Sequence, residues 1–176
     1  FNFKSKIEDK KIAERREELL KEQKKIDIKE NRFLDIMDIK IKDIHELANK
    51  VEGWLTKKEG ELLYDLAKQV EGRNIVEIGS WKGRSTTYLG YGTIKGDAEK
   101  LYSIDHHTGS KEQRERKDGP SDTYPDFVSN LRRNRVEQVV DPIIMNSIKA
   151  SSMIDDKIGL IFLDASHEYC NVKSDF

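Results

Sequence analysis

The residues best suited to carry chemistry lie in the segment IVEIGSWKGRS at residues 75–85. An apolar strand there passes through an acidic residue into a glycine turn and then a helix, an arrangement that grips nucleotide-like ligands. Gly79 lets the chain turn with no Cβ in the way, and Gly83 lets the next helix pack closely and aim its N–H groups at the ligand. Glu77 would repel a pyrophosphate but attract a cation. The segment therefore predicts a site for a positively charged, nucleotide-like cofactor.

The spacing of the two glycines separates the candidate cofactors. Gly79 and Gly83 form G-x-x-x-G, whereas dinucleotide folds use G-x-G-x-x-G at the phosphate turn. S-adenosylmethionine carries both an ammonium and a sulfonium, so it suits Glu77 better. Taken alone, the glycines could also mark only a tight turn. A second strand, Leu101–Asp105, ends in an acid about 20 residues beyond Gly83, where such folds place the carboxylate that binds a ribose diol.

Two further strands extend the predicted sheet. Residues 142–146 form the third and are followed by Ser147 and a helical stretch through Ile154. Residues 158–164 form the fourth, and their nearly continuous apolar character is typical of a parallel strand covered by helices on both faces. We expect parallel strands in the order 3-2-1-4 with right-handed crossovers. Polar residues at the four carboxyl ends would then converge on one crevice: Glu77, Asp105, Asn146 and Asp164.

Four segments together resemble the class I S-adenosylmethionine-dependent methyltransferases, and within them the methyltransferase domain 24 subgroup. They are VEIGSWKGRST, LYSIDHHTGS, FVSNLRRNRVEQVVDPI and LIFLDASHEY. The resemblance covers roughly residues 50–176. It implies an α/β, Rossmann-like fold in which the seven-stranded methyltransferase sheet is truncated after its fourth strand. The cofactor contacts that it implies are Glu77, Gly79, Ser80, Trp81, Gly83, Ser85, Asp105, Asn146, Ser147 and Asp164.

Two positions depart from the pattern that this family shows. Trp81 stands where many class I enzymes carry a middle glycine, a departure common in this subgroup. His106 stands where related sequences usually have proline. We assign no role to His106 or to the neighbouring His107.

Asp164 and His167 are the candidates for catalysis. From the residues alone, Asp164 could cap the following helix and His167 could be a surface or packing residue. Enzymes similar to this one that methylate sugar hydroxyls use such an acid as a divalent-metal ligand and such a histidine as general base. The resemblance therefore implies O-methylation of a sugar or glycan hydroxyl by His167, with Asp164 binding Mg²⁺ or positioning the histidine.

The alternative to this enzyme is a catalytically silent module that binds the cofactor or a protein partner. A complete seven-stranded domain needs roughly 60 to 70 more residues at ordinary element lengths. We therefore expect the chain to be a fragment that is inactive by itself.

Composition restricts the function classes further. The 176 residues carry 32 basic and 33 acidic side chains and a net charge of −1, which argues against a nucleic-acid partner. An apolar content of 36% can build a core. Cys170 is the single cysteine, so the chain has no disulfide framework. Because it shows neither a signal peptide nor a membrane-spanning apolar run, we expect a cytoplasmic location and no membrane partner.

The N-terminal residues 1–42 form a charged helical extension or linker, and residues 43–176 form the N-terminal part of the methyltransferase domain. Apolar residues recur in the extension at seven-residue intervals, at Ile12, Leu19, Ile26 and Phe33. The positions between them lack apolar residues, so a stable coiled coil is disfavoured. A linker helix, or a helix that contacts a protein partner or a second copy, fits this pattern better.

A helix over residues 56–70 is predicted just before the first strand. Thr56 and Glu59 make a capping box, and Gly72 supplies a C-terminal stop. We expect this helix to cover the sheet with a single apolar face: Leu62, Leu63, Leu66, Ala67 and Val70.

A long polar loop spans residues 106–125, ahead of a helix that contains Phe127, Val128 and Leu131. Loops of this length are often functional or disordered. It could close as a lid over cofactor and acceptor, with Arg114, Arg116 and Lys117 available to an anionic acceptor. It could equally be a solvated charged loop.

Overall fold

A computed structural model describes residues 38–108, 122–154 and 157–165. The chain divides into two compact units, Phe1–Ile39 and Lys40–Phe176. Residues 1–37 lie outside the described residues, so the charged helix and the boundary after residue 42 stay predictions. Among the helices that the structure describes, none combines the length and the apolar character needed to cross a membrane.

Helices and strands alternate along the described chain. The helices are α1 Ile41–Ala48, α2 Lys57–Lys68, α3 Arg84–Lys95, α4 Tyr124–Arg133 and α5 Ser147–Ser151. The strands are β1 Asn74–Ile78, β2 Leu101–Ile104, β3 Val140–Ile143 and β4 Ile158–Leu163.

The four strands form one sheet in the order β3-β2-β1-β4, and every pair is parallel. This confirms the predicted order. In the register, Ile78 lies beside Ile104 of β2 and Leu163 of β4, and Ile104 lies beside Ile143 of β3. The four carboxyl ends therefore meet at one edge, as the sequence predicts for a ligand-binding sheet.

The prediction for the third strand was wrong by two residues at its start and three at its end. β3 runs from Val140 to Ile143, not over residues 142–146. It ends early because the Met145 N–H turns back to the Ile143 carbonyl at 3.0 Å. Pro142 lies inside the strand, and it is tolerated because β3 pairs only with β2 in the described sheet, so one side of its backbone needs no donor.

The fourth strand is not covered on both faces as predicted. Burial alternates along β4, and Ile161 is 56% exposed. The strand contributes Ile158 and Leu163 to an apolar cluster between the sheet and α5, where Val76, Ile78 and Ile104 pack around Ala150. The helical stretch after Asn146 is also shorter than predicted, because α5 ends at Ser151.

The capping box that starts α2 is confirmed. The Thr56 N–H donates to the Glu59 carboxylate at 2.7 Å, and the Glu59 N–H donates to the Thr56 hydroxyl at 3.3 Å. The helix ends at Lys68, before the predicted stop at Gly72, which has a left-handed φ of 55°.

The apolar face of α2 is narrower than predicted and packs mainly on α3 instead of the sheet. Leu63 and Ala67 are buried, whereas Leu62 and Leu66 are exposed. Gly92 of α3 allows the close approach, because a Cβ there would lie 2.5 Å from the Ala67 Cβ. Without that methyl-sized space the two helices could not pack at this distance.

Candidate functional site

The turn after β1 joins the ends of three strands. The Gly79 N–H donates to the Ile104 carbonyl of β2, and the Asp164 N–H donates to the Ile78 carbonyl, both at 2.9 Å. Gly79 has a φ of 91°, and a Cβ there would lie 2.5 Å from the Asp164 carbonyl oxygen and 2.6 Å from the Ala165 Cα. The sequence predicted that Gly79 keeps a Cβ out of the turn, and the structure shows that such a Cβ would collide with the backbone that leaves β4.

Asp105 ties the glycine turn to the end of β2. Its carboxylate accepts the Trp81 N–H at 2.7 Å and the His107 N–H at 2.8 Å. Trp81 has a left-handed φ of 45°, so this hydrogen bond supports a conformation that non-glycine residues seldom adopt. Asp105 therefore holds the turn in place, and it sits at the strand end where the sequence predicted a ribose contact.

The start of α3 is positioned by α4. Gly83 precedes α3 with a φ of 89°, and a Cβ there would lie 3.1 Å from the Phe127 ring. The Asn130 side chain donates to the Lys82 carbonyl at 2.9 Å. Sequence reasoning assigned no role in the site to Phe127 or Asn130, because nothing local indicates that a helix 44 residues further on supports this turn. The first N–H groups of α3 have no partner within the helix and are therefore available to a ligand.

Glu77 is fully buried and has three hydroxyl partners. Its carboxylate accepts hydrogen bonds from Ser85 at 2.5 Å, Thr86 at 2.6 Å and Ser103 at 3.1 Å. Burial raises the pKa of Glu77 to about 7, against the three hydrogen bonds, which lower it. The Glu77 carboxylate thus lies beneath the turn and links β2 to the first turn of α3. The Ser85 hydroxyl points inward to Glu77, so the cofactor contacts of both side chains stay predictions.

Ser80 provides an unpaired polar group inside the turn. Its side chain is only 3% exposed, and within the described chain its hydroxyl has no hydrogen-bond partner. Buried hydroxyls are nearly always paired, because burial without a partner costs about 1 to 3 kcal/mol. The Trp81 indole N–H is also buried, and it has no partner among the residues that the structure describes. These groups can bind a ligand that enters the turn.

The remaining predicted contacts lie around the same edge of the sheet. Asn146 follows β3 by three residues, and its side chain accepts the Lys149 N–H at 2.9 Å, so it caps α5. Ser147 is the first residue of α5. Asp164 is exposed and directly follows β4. The backbone of Asp164 therefore contacts Gly79 in the turn. The Asn146 side chain instead bonds within its own helix.

His107 connects the loop after β2 to α4. Its Nδ1 lies 3.0 Å from the Thr123 hydroxyl, and its ring packs against Tyr124 and Phe127 at centroid distances of 5.3 and 5.0 Å. Burial lowers the pKa of His107, with Asp105 opposing that shift. The contacts indicate a neutral, packed histidine. Sequence reasoning assigned it no role.

Some predicted site residues lie outside the described residues, namely His167, Arg114, Arg116 and Lys117. Within residues 38–108, 122–154 and 157–165, no group of three or more histidine, cysteine, aspartate or glutamate side chains could hold a metal ion. Metal binding by Asp164 and general base catalysis by His167 therefore stay predictions.

A family model described as Methyltransferase domain, Methyltransf_24, matches residues 76–176. This chain belongs to that methyltransferase family. The match includes the glycine turn, the Asp105 strand end and β4, which are the elements that form the site. The resemblance found in the sequence is thereby confirmed, and the Rossmann-like sheet of the domain is that of the class I methyltransferases.

Solved structures share the fold of this methyltransferase domain at low identity. An O-methyltransferase from Bacillus cereus in complex with SAH is 17% identical, with a TM-score of 0.51, and the match covers 80% of this chain and 63% of that one. Cofactor-bound Rv0187 from MTB is also 17% identical, with a TM-score of 0.51 and coverages of 76% and 57%. A precorrin 8w decarboxylase from Methanobacterium thermoautotrophicum is 18% identical, with a TM-score of 0.50 and coverages of 72% and 59%. The match thus spans between 57 and 63% of these three structures.

Proposed function

We propose that this domain belongs to an S-adenosylmethionine-dependent methyltransferase that acts on a hydroxyl oxygen of a sugar or glycan. The observation that carries the cofactor assignment is the buried Ser80 hydroxyl in the turn that Gly79 and Asp105 build, which has no hydrogen-bond partner among the described residues. A closed turn of this kind leaves a hydroxyl unsatisfied at a free-energy cost unless a ligand supplies the partner. The family match and the SAH complex of the Bacillus cereus O-methyltransferase support this assignment.

The residues of the turn fit such a cofactor. A carboxylate has about four acceptor sites, and the two N–H groups on Asp105 leave room for ribose hydroxyls. Ser80 and the first N–H groups of α3 would bind polar groups of the ligand. Glu77 would act from below the turn, through its hydrogen bonds to Ser85 and Thr86. When bound, S-adenosylmethionine supplies an electrophilic methyl group on a sulfonium.

The domain would contribute alignment and proton removal to the reaction. Methyl transfer is an in-line displacement, so holding the acceptor hydroxyl in position supplies much of the rate. His167 would take the hydroxyl proton, because the pKa of histidine suits proton transfer near neutral pH. Asp164 would either bind Mg²⁺, which lowers the pKa of the hydroxyl, or orient His167. The cytoplasmic location remains an expectation from the sequence.

Calorimetric titration with S-adenosylmethionine, with and without magnesium, tests the cofactor assignment. We expect the wild-type protein to bind the cofactor. Asp105→Ala should weaken binding by about 1 to 3 kcal/mol, the cost of losing a hydrogen bond to a charged group. Lys100→Ala is a suitable control, because the exposed Lys100 side chain pairs with Asp141 instead of the glycine turn.

The titration also separates the enzyme from the catalytically silent module. Wild-type affinity in Asp105→Ala would refute the placement of the cofactor at this turn. If the wild-type protein binds neither S-adenosylmethionine nor its demethylated product, the domain does not use this cofactor. If it binds the cofactor but a full-length protein that contains this domain transfers methyl to no hydroxyl, the silent cofactor-binding module is the better description.

A further inference from the structure

The segment that joins α1 to α2 is attached to the glycine turn by cationic side chains. The Lys82 ammonium lies 2.9 Å from the Glu52 carboxylate and 3.0 Å from the Asp126 carboxylate. The Arg84 guanidinium donates to the Gly53 carbonyl and, at 2.7 Å, to the Asn49 side chain. These contacts connect residues 49–53 to the turn that forms the proposed cofactor site.

This attachment places Trp54 on Trp81. The two indoles stack with centroids 5.0 Å apart and planes 14° from parallel. Trp54 nevertheless remains 71% exposed. One face of Trp54 is therefore covered by Trp81, and the rest of the side chain is open to solvent at the edge of the turn.

The stacked pair belongs to the same part of the site as Asp105. The Trp81 N–H donates to the Asp105 carboxylate, so the backbone that carries one indole is bonded to the strand end that is proposed to hold the ribose. A ligand on the open face of Trp54 would thus lie beside the cofactor crevice. This position is suitable for the methyl acceptor, which must lie next to the cofactor.

The charges around the pair indicate which acceptor it suits. The Lys82 ammonium lies 5.5 Å from the centroid of the Trp81 ring, but two carboxylates already neutralise it. Glu52 and Asp126 are themselves largely exposed and can accept hydrogen bonds from hydroxyls. An anionic group near Lys82 would meet the two carboxylates that already pair with its ammonium, and the Arg84 guanidinium is engaged by Gly53 and Asn49. A neutral ring that bears hydroxyls could instead donate hydrogen bonds to those carboxylates.

We propose that Trp54 and Trp81 form an aromatic platform that binds a neutral sugar ring of the acceptor, with Glu52 and Asp126 accepting hydrogen bonds from its hydroxyls. The apolar C–H face of a pyranose can bury its surface on an exposed indole, as other flat apolar groups do. This inference rests on the proposed function and specifies its substrate class. In this proposal Trp54 binds the sugar ring and takes no other part in the reaction.

Saturation-transfer NMR with methyl β-D-glucopyranoside as the probe tests the platform in the SAH-saturated protein. The wild-type protein should bind the probe and transfer saturation to its ring C–H protons. Trp54→Ala should weaken probe binding roughly 2- to 12-fold, the range expected for one aromatic contact. Trp54→Phe should recover part of the affinity. Leu62→Ala is the matched control, because Leu62 is an exposed apolar residue on α2 that takes no part in the platform.

SAH affinity and the melting temperature separate a failure of the platform from a failure of the proposed function. The affinity of SAH should be the same in Trp54→Ala and in the wild-type protein, and the melting temperature should fall by no more than a few degrees, because Trp54 loses only its stacking on Trp81. Equal probe binding by Trp54→Ala and wild type would overturn the platform. So would binding of catechol or glucose 6-phosphate in place of the neutral sugar. If SAH itself does not bind, the proposed function fails, while the sugar titration without SAH still decides whether the platform exists.

Discussion

Replacing Glu77 with glutamine should change how the free energy of unfolding depends on pH. Glu77 is fully buried, and burial raises its pKa to about 7, above the 4.5 of an unperturbed glutamate. Glutamine has the same shape and no charge, so it imitates the protonated carboxyl. A comparison of the two proteins therefore isolates the cost of the buried charge.

The expected magnitude follows from the difference between the two pKa values. A rise from 4.5 to about 7 is roughly 2.5 units, and at about 1.4 kcal/mol per unit it corresponds to roughly 3 kcal/mol. Between these values the folded protein holds more protons than the unfolded chain, so the free energy of unfolding falls as the pH rises. Glu77 thus contributes most to stability at low pH, and that contribution is lost as the pH rises through about 7.

Urea unfolding monitored by tryptophan fluorescence at pH 5, 6, 7 and 8 would measure this effect. We expect the stability of Glu77→Gln relative to wild type to increase between pH 5 and pH 8 by roughly 2 to 3 kcal/mol, because a small part of the effect already occurs below pH 5. Glu46→Gln serves as the control, because Glu46 is an exposed carboxylate on α1. The difference in unfolding free energy between variant and wild type cancels the pH dependence that all other titrating groups contribute.

A difference that does not vary with pH would refute this reasoning. It would mean that the three hydroxyl donors keep Glu77 ionised at every pH tested. A constant destabilisation of Glu77→Gln would then measure the loss of hydrogen bonds to a charged acceptor, about 1.5 to 3 kcal/mol for each bond.

Three further predictions follow from the same geometry. In thermal unfolding, Gly79→Ala should destabilise the fold by more than Gly72→Ala. Both glycines have a positive φ, but only a Cβ at Gly79 would meet backbone atoms within 4 Å. Equal losses of stability in the two variants would contradict this prediction. His107 should titrate below its ordinary pKa of 6.5 in an NMR experiment, since burial disfavours its charged form, and its contribution to stability should be lost as the pH falls below 6.5. A titration at or above 6.5 would argue against the packed, neutral ring. In a full-length protein that contains this domain, His167→Ala should lower methyl-transfer turnover by roughly 10²- to 10⁴-fold with nearly unchanged cofactor affinity, whereas loss of both, or of neither, would assign His167 a structural role.

The fold was predictable to a large extent because its signals are local. Four apolar segments separated by helix-length stretches allow few arrangements other than a parallel sheet, and the strand order followed from that pattern. The capping box of Thr56 and Glu59 was predictable for the same reason, since its partners are three residues apart. The end of β3 was not predictable, because it depends on a turn after Ile143 and on how far β2 extends beside it.

The site was predictable in its outline but not in its contacts. The sequence placed Gly79, Gly83 and Asp105 at the ends of adjacent strands and at a helix start, and the structure confirms those positions. It did not reveal that Asp105 accepts the Trp81 N–H, or that the Ser85 hydroxyl points to Glu77 instead of the crevice. A side chain's partner depends on its rotamer and on neighbouring elements, neither of which a motif specifies.

The sequence by itself determined the order of the strands and the glycine turn, because short-range sterics and apolar periodicity specify them, and its four motifs indicated the family by their resemblance to known members. Only the tertiary structure decided that Ser103, 26 residues from Glu77, shares its buried carboxylate, and that Trp54 stacks on Trp81. Such contacts join residues that are distant along the chain. They form only where packing brings two elements within a few ångströms, and no local pattern encodes that distance.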